Sequence, residues 1–225
     1  MAHKTHPPAA TEGGTVVLAR RITPAQAARR ARAIDAARGL AEEGGYAAVN
    51  MTDVARRAGF GRATLYRYFA SKDHLLSEVT ARWGAEISAA LRSHPPRGRS
   101  GAERVASVFA RVLATAQQHS RLTEAAVAAA LSTDPSAAAA YGASAAVVAG
   151  YLDSALDDAE IEDRDGVSRA LAYVFLSALI LMTSGRITAE EAAGELARAA
   201  RLMIREAPAN EHRPRGPLSS RTPQS

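Results

Sequence analysis

The side chains best suited to a chemical task lie between Asn50 and Phe69, where the sequence reads NMTDVARRAGFGRATLYRYF. Most polar positions in this stretch carry arginine, threonine or tyrosine, which all donate hydrogen bonds to phosphate oxygens. An arginine can also make a paired contact with guanine, and a threonine or alanine methyl group can contact thymine. This combination indicates nucleic-acid recognition rather than bond-making chemistry.

Signatures of catalysis are missing from the chain. The sequence has no cysteine, no glycine-rich phosphate loop, no HExxH or ExxH ligand pair and no GxSxG element. An enzyme is therefore a weak alternative, and we expect no cofactor and no metal. A second alternative is an architectural DNA-binding protein without an effector, which would bind DNA with little sequence preference and a strong dependence on salt.

Two short helices joined by Gly59-Phe60-Gly61 are predicted within this stretch. Asn50 suits the N-cap of a helix over 51–58, and a second helix is predicted over 62–69. A glycine-bearing turn between two short helices is typical of a helix-turn-helix motif. Apolar residues recur at spacings that would pack the pair together and onto a preceding helix: Met51, Val54, Ala55, Ala58, Leu65 and Phe69, with Ile34, Ala37 and Leu40.

An ordered set of short motifs surrounds this turn between residues 32 and 79: Ile34-Asp35-Ala36-Ala37, Gly45-Tyr46, Met51-Thr52-Asp53-Val54-Ala55, Ala58-Gly59 and Thr64-Leu65-Tyr66-Arg67-Tyr68-Phe69-Ala70-Ser71-Lys72. In this set the chain resembles the tetracycline-repressor (TetR) family of transcriptional regulators. The resemblance implies an all-α fold, with an N-terminal three-helix DNA-binding domain before a C-terminal helical domain that binds a ligand and dimerises. Ala33, Gly39 and Gly61 depart from the family's pattern, which bears on DNA specificity.

The resemblance also implies roles for single residues. It implies phosphate contacts by Thr52, Tyr66, Tyr68 and Lys72, and base contacts by Arg62, Ala63 and Thr64. Tyr66 could instead belong to the core, and Arg67 is expected at the surface or in an intramolecular pair. The upstream arginines are either a flexible arm on DNA or a solvated charge run: Arg20, Arg21, Arg29 and Arg30.

Positive charge is concentrated at the N-terminal end of the chain. The net charge of the 225 residues is +5, made up of +6 over residues 1–92, −3 over 93–206 and +2 over 207–225. This asymmetry favours a polyanion such as double-stranded operator DNA as partner of the first third only. An arginine-rich composition from a GC-rich genome is the simpler alternative.

About nine helices are predicted between two solvated tails at 1–22 and 207–225. Residues 23–70 are assigned to the DNA-binding domain, with its motif at 50–69, and residues 71–206 to the effector-binding and dimerisation domain. The first helix is expected to start at a capping box after Thr23 and to end near Glu43. The later helices are predicted at 71–91, 101–118, 121–132, 135–158, 165–185 and 189–206, the last with a second capping box at Thr188.

The resemblance implies that the last two helices pack against their copies in a homodimer, which a palindromic operator requires. We nominate for this face Leu171, Val174, Phe175, Ala178, Leu179, Met182, Ala192, Leu196, Ala199 and Met203. Some of these residues are expected to serve the core of the monomer instead.

The many alanines of the second domain leave room between helices for an apolar small-molecule effector. Polar candidates near such a pocket, each with a structural alternative, are His119, Arg121, Glu124, Tyr141, Tyr151 and Tyr173. Further motifs are Gly44-Gly45-Tyr46, His74-Leu75-Leu76, Leu122-Thr123-Glu124-Ala125 and Asp134-Pro135-Ser136-Ala137. They resemble the KstR-like branch of the family, which represses actinobacterial cholesterol catabolism and senses coenzyme A thioesters of sterol fragments. The resemblance thus implies a repressor released from DNA by an acyl-CoA or sterol-derived thioester.

Neither a secretory signal nor a membrane span is expected. The first 14 residues are polar, and the apolar run at 16–19 is short. The strongly apolar stretch at residues 170–185 falls short of the roughly 18 strongly apolar residues that a span needs. We therefore expect a cytoplasmic protein with no membrane partner.

Overall fold

The computed structural model describes residues 23–137, 149–153, 155–156, 161 and 163–204. All regular secondary structure among them is helical, which confirms the predicted class. The bounds are α1 (Pro24–Ala48), α2 (Met51–Ala58), α3 (Arg62–Tyr66), α4 (Lys72–Arg92), α5 (Gly101–Gln118), α6 (Ser120–Ala130), α7 (Arg164–Thr183) and α8 (Ala189–Met203). Residues 149–153 are also helical, but most of the helix predicted at 135–158 lies outside the described residues.

Side-chain caps fix where most of these helices begin. Thr23 and Thr188 each form the predicted capping box, the first with Gln26 and the second with Glu191. The side-chain oxygen of Asn50 accepts the backbone N–H of Asp53 at 2.9 Å. Such caps satisfy N–H groups that have no partner inside the helix, and they explain why the predicted starts agree with the structure.

The C-terminal end of α1 differs from the prediction. Gly44 and Gly45 leave the helical region, and Gly45 has a φ of 68°, which glycine adopts without a steric penalty. A further turn then continues to Ala48. The predicted break is therefore in the right place, but the predicted end near Glu43 is five residues early because the chain resumes a helical turn after the kink.

The helix α3 is shorter than predicted, because it ends at Tyr66 rather than at Phe69. The backbone N–H groups of Tyr68 and Phe69 both donate to the carbonyl oxygen of Leu65, at 2.9 and 3.0 Å. This tight turn brings the Phe69 ring fully into the core and leads directly into the Ser71 cap of α4.

Two apolar cores hold the described helices together. The first joins α1, α2, α3 and the N-terminal half of α4, and it contains all nine apolar residues that the sequence predicted for the packing of the helix-turn-helix, Leu40 among them at its edge. It also includes Leu122, Ala125 and Ala129 of α6. The second core joins the end of α4 with α5, residues 151–156, α7 and α8. Ile87 of α4 packs against both cores.

Candidate nucleic-acid interface and effector cavity

The helix-turn-helix buries its apolar side chains and leaves the predicted DNA contacts outside. Val54, Leu65 and Phe69 are fully buried. Thr52 at the start of α2 and Arg62 and Ala63 at the start of α3 are exposed, while Thr64 is half-buried. These four predicted contacts therefore lie at the N-terminal ends of the two short helices, where unpaired backbone N–H groups also favour a phosphate.

Tyr66 lies on the surface and not in the core, since 44% of it is exposed. The guanidinium carbon of Arg62 lies 5.6 Å from the centre of the Tyr66 ring, within the range of a cation–π contact. Tyr68 is half-buried, and its ring centre lies 6.5 Å from that of Phe69. Tyr66 therefore lies on the exposed side of α3, and Tyr68 lies at the margin of the core.

Lys72 is held at the start of α4 by Tyr46. Its ammonium group donates to the carbonyl oxygen of Tyr46 and lies 3.5 Å from the centre of the Tyr46 ring. Partial burial lowers the pKa of Lys72. Because an ammonium group has three N–H donors, the contact with Tyr46 orients the group and leaves donors for a phosphate.

The hydroxyl of Tyr46 donates to Asp73 at 2.7 Å, and this bond raises the pKa of Tyr46 to about 12. The other oxygen of Asp73 accepts the hydroxyl of Ser132, which follows α6, at 2.6 Å. One carboxylate therefore joins the last turn of α1, the first turn of α4 and the end of α6. Sequence reasoning missed Asp73 and Ser132, which lie 59 residues apart, because no local pattern pairs them.

The arginines of α2 have intramolecular partners. Arg56 pairs with Asp53 at 2.5 Å, and Arg57 pairs with Glu43 of α1 at 2.6 Å. The hydrogen bond from Arg57 lowers the pKa of Glu43. Much of the positive charge on α2 is therefore balanced within the protein, whereas Arg62 on α3 is exposed and directed along the recognition surface.

Ion pairs also join α1 to α4 along their length. They link Arg30 to Glu78 at 2.5 Å, Asp35 to Arg82 at 2.8 Å and Arg38 to Glu86 at 2.7 Å. Single exposed pairs of this kind contribute little, but a row of three with alternating polarity fixes the register of the two helices.

An apolar cavity of about 150 Å³ lies between the two cores. Its walls come from α4, α5, α6, α7 and the segment at 149–153. Three hydroxyl groups at the wall donate to backbone carbonyl oxygens of the protein: Thr80 to Leu76, Thr123 to Ala116, and Tyr151 to Gly84 at 2.6 Å. The cavity thus offers an apolar surface to a ligand.

The structure does not gather the predicted ligand-binding side chains into one site. Tyr151 lines the cavity, and His119, at the C-terminal end of α5 as expected, packs edge-on against Trp83 of the wall at 5.8 Å. Arg121 instead donates to the carbonyl oxygen of Glu43. The carboxylate of Glu124 faces Gly45, and 67% of Tyr173 is exposed. Tyr141 lies outside the described residues.

The apolar face nominated for dimerisation serves in part the core of its own chain, as expected. Five of its ten residues are buried in the core of their own chain and cannot reach a second subunit as packed: Leu171, Phe175, Ala178, Ala192 and Leu196. The other five, Val174, Leu179, Met182, Ala199 and Met203, are partly buried against that core. Helical periodicity marks one apolar face, but it does not say whether that face meets the same chain or a copy.

The exposed apolar side chains lie on other faces of α7 and α8. Tyr173, Leu181 and Leu202 are 67%, 37% and 73% exposed. By length and composition α7 is apolar enough to cross a membrane, with a mean hydropathy of 1.6 over its apolar window, and 17% of that window is buried. One such helix is weak evidence for a span.

Comparison with known proteins identifies the family. The chain matches the model of bacterial regulatory proteins of the tetR family over residues 33–79 and that of the tetracyclin repressor-like C-terminal domain over residues 98–203. Curated relatives are 33 to 36% identical over 80% of the chain. The chain therefore belongs to the tetR family and is a transcriptional repressor with a helix-turn-helix DNA-binding domain, not an enzyme.

The relatives narrow this class further. The chain is similar to the HTH-type transcriptional repressor KstR of Rhodococcus jostii strain RHA1, with 36% identity over 80% of this chain and 84% of the relative. The KstR protein of Mycobacterium tuberculosis strain H37Rv is 33% identical and covered to 82%. These matches confirm the resemblance inferred from the sequence motifs.

Solved structures agree on the fold. A TetR transcriptional regulator from Rhodococcus sp. RHA1 matches with a TM-score of 0.71 and 26% identity, over 80% of this chain and 96% of that one. Thermus thermophilus FadR, solved in complex with lauroyl-CoA, matches with a TM-score of 0.64 and 21% identity, over 80% and 98%. The predicted TetR-like architecture is thus confirmed.

Proposed function

We propose that this protein is a homodimeric repressor of a palindromic operator, released by a bulky apolar effector of the acyl-CoA or sterol-thioester class. The observation that carries the proposal is the position of the cavity. Its wall includes Ser77, Thr80 and Trp83 of α4, and α4 begins at Lys72, six residues after the end of α3. A ligand that displaces α4 therefore acts close to the DNA-reading residues.

The DNA contacts divide into two kinds. Thr52, Tyr66, Tyr68 and Lys72 bind phosphates and set the position of the protein on the duplex, which is independent of sequence. Arg62, Ala63 and Thr64 enter the major groove and read base edges. The exposure of Arg62 and Ala63 and the stacking of Arg62 on Tyr66 support this division.

The size of the cavity supports an effector that changes the shape of the protein. A volume of about 150 Å³ suits an apolar group about the size of benzene, so an acyl chain or a sterol ring system enters only if the walls separate. Reversing a 99:1 equilibrium takes roughly 5.5 kcal/mol of differential binding. About seven newly buried methylene groups, at roughly 0.8 kcal/mol each, supply that amount.

The acyl-CoA class has two supports. The motifs shared with the KstR-like branch extend into α6, and curated relatives at 33 to 36% identity are KstR repressors. The fold of Thermus thermophilus FadR accommodates lauroyl-CoA, so a fold of this type can hold an acyl thioester. We further propose a cytoplasmic location, which is typical of soluble regulators of this family.

Selection of binding sites from random duplexes tests the DNA half of the proposal, and a palindromic consensus is expected. Titration of the protein–operator complex with lauroyl-CoA and with a sterol-derived coenzyme A thioester then tests the effector half, with free coenzyme A as the matched control. Sequence-indifferent binding limited by salt would favour the architectural alternative. Tight thioester binding that leaves operator affinity unchanged would contradict the coupling.

A further inference from the structure

The helix α6 lies in the C-terminal half of the chain, but its apolar face belongs to the DNA-binding core. Leu122, Ala125 and Ala129 are at most 3% exposed and share one apolar cluster with Leu65 and Phe69. Their spacing of three and four residues places them on one face of α6. This face packs on α1 and on the N-terminal half of α4.

Polar contacts fasten both ends of α6 to the same body. At its start, the guanidinium of Arg121 donates to the carbonyl oxygen of Glu43 in α1 at 2.6 Å. Just after its end, the hydroxyl of Ser132 donates to Asp73 of α4 at 2.6 Å. Because Asp73 also accepts the hydroxyl of Tyr46, the contact between Ser132 and Asp73 also connects the end of α6 to α1.

The opposite side of α6 faces the cavity. Thr123, Ala126, Val127 and Ala130 form part of the cavity wall, and across from them stand α5 and α7 of the second core. The chain passes between the two cores at two described places. One is α4 near Ile87, which packs against both cores, and the other is His119, which is at once the C-cap of α5 and the N-cap of α6.

We propose that α6 moves with the DNA-binding helices as one rigid body, and that the cavity is the joint between this body and the body formed by α5, α7 and α8. The second half rests on the proposed function, because it takes the cavity as the effector site. A ligand that enters the cavity then pushes the two bodies apart, while the contacts of α6 with α1 and α4 stay intact. The functional division of the chain thus lies within α4 and at His119, not after residue 70.

Native-state hydrogen exchange tests the first half without DNA or ligand, since cooperative units open together. Val54→Ala weakens the first core, and Val105→Ala is the matched change in the second, where both side chains are fully buried. In the Val54 variant we expect the slow amides of residues 122–130 to exchange about fivefold faster, together with those of α1 and α2. In the Val105 variant, only the amides of α5, α7 and α8 should exchange faster.

Two outcomes would overturn the proposal. The first is faster exchange of residues 122–130 together with α5, α7 and α8 in the Val105 variant. Equal acceleration of residues 122–130 in both variants contradicts it as well, because the protein would then open as a single unit.

A disulfide tests the second half. The natural sequence has no cysteine, so a double variant with Asp73→Cys and Ser132→Cys can form one bond, between α4 and the end of α6. We expect lauroyl-CoA to release the diamide-oxidised variant from operator within about twofold of the reduced variant, which carries the same substitutions. Release that is lost on oxidation would show that α6 must move against α4, and the proposal would fail. If lauroyl-CoA does not release the wild-type protein either, the proposed effector class fails, and hydrogen exchange still decides whether α6 belongs to the DNA-binding body.

Discussion

Arg62 is the residue on which sequence preference should depend most. It is exposed at the first position of α3, and the Tyr66 ring limits the directions that its guanidinium can take. We expect Arg62→Ala to cost about 1–3 kcal/mol at a single base position and to relax the consensus there. Selection from random duplexes measures this, with Arg67→Ala as the control for lost charge. An unchanged consensus would mean that Arg62 does not read bases, and Thr64 would then be the better candidate.

Lys72 and Tyr66 should act on affinity without altering the consensus. We expect Lys72→Gln to reduce the slope of log affinity against log salt by about one phosphate contact, and Tyr66→Phe to weaken all sequences alike. Gel shifts over a series of salt concentrations measure both effects. A slope that stays unchanged in the Lys72 variant, with a lower melting temperature, would mean that Lys72 serves only to hold Tyr46.

The contact between Tyr46 and Asp73 has a pH signature. The pKa of Tyr46 is raised from 10.0 to about 12 by the bond to Asp73, and a folded pKa above the unfolded one means that the neutral phenol is stabilised. Its contribution to stability is therefore complete below about pH 10 and is lost as the pH rises through about 12. Titration of phenolate absorbance should lose a late step in Tyr46→Phe and show an earlier one in Asp73→Asn. Identical curves would contradict the hydrogen bond.

At the scale of elements, the sequence predicts the bounds of a helix best where neighbouring residues determine them. The bounds of α2 were predictable because Asn50 can cap a helix and Gly59 adopts a left-handed conformation at its end. The end of α3 was not, since Phe69 continues the helical apolar spacing four residues after Leu65, although the helix ends at Tyr66. The exposed DNA contacts follow from local pattern and family motif, but the link between Asp73 and Ser132 requires a tertiary fold that no window of sequence contains.

The exposed face of α7 should be a subunit contact. Tyr173, Ser177 and Leu181 recur every four residues on this face, and all three are exposed in the single chain. We expect Leu181→Glu to shift the dimer toward monomer, because a carboxylate would be buried without a partner at the contact. Analytical ultracentrifugation measures the change, with Ala114→Glu on the exposed side of α5 as the control. An unchanged dimer would place the interface elsewhere.

At the scale of the whole molecule, DNA affinity depends on the separation of two recognition helices. Half-sites lie about 34–36 Å apart, so a small rotation of each DNA-binding body misplaces both readers. The row of ion pairs from Arg30, Asp35 and Arg38 to α4 makes α1 follow that helix. The proposed release from the operator therefore requires no local change within the helix-turn-helix.

Filling the cavity between the two bodies should therefore give a repressor that lauroyl-CoA no longer releases from its operator. Ala172 of α7 lines the cavity across from α6, and Ala172→Leu adds apolar volume where space exists, so the usual overpacking penalty of about 1–3 kcal/mol should be largely avoided. We expect operator affinity within about twofold of wild type, because the closed arrangement is the one that binds DNA. Lauroyl-CoA should bind at least about tenfold more weakly, a loss of roughly 1.4 kcal/mol.

Calorimetry measures the binding of lauroyl-CoA, and gel shifts measure the affinity for operator. Ala110→Leu on the exposed side of α5 is the control. Loss of operator affinity in the Ala172 variant without any ligand would mean that the filled cavity corresponds to the released state. A ligand would then need to move the two bodies apart by less than the cavity volume of about 150 Å³ implies.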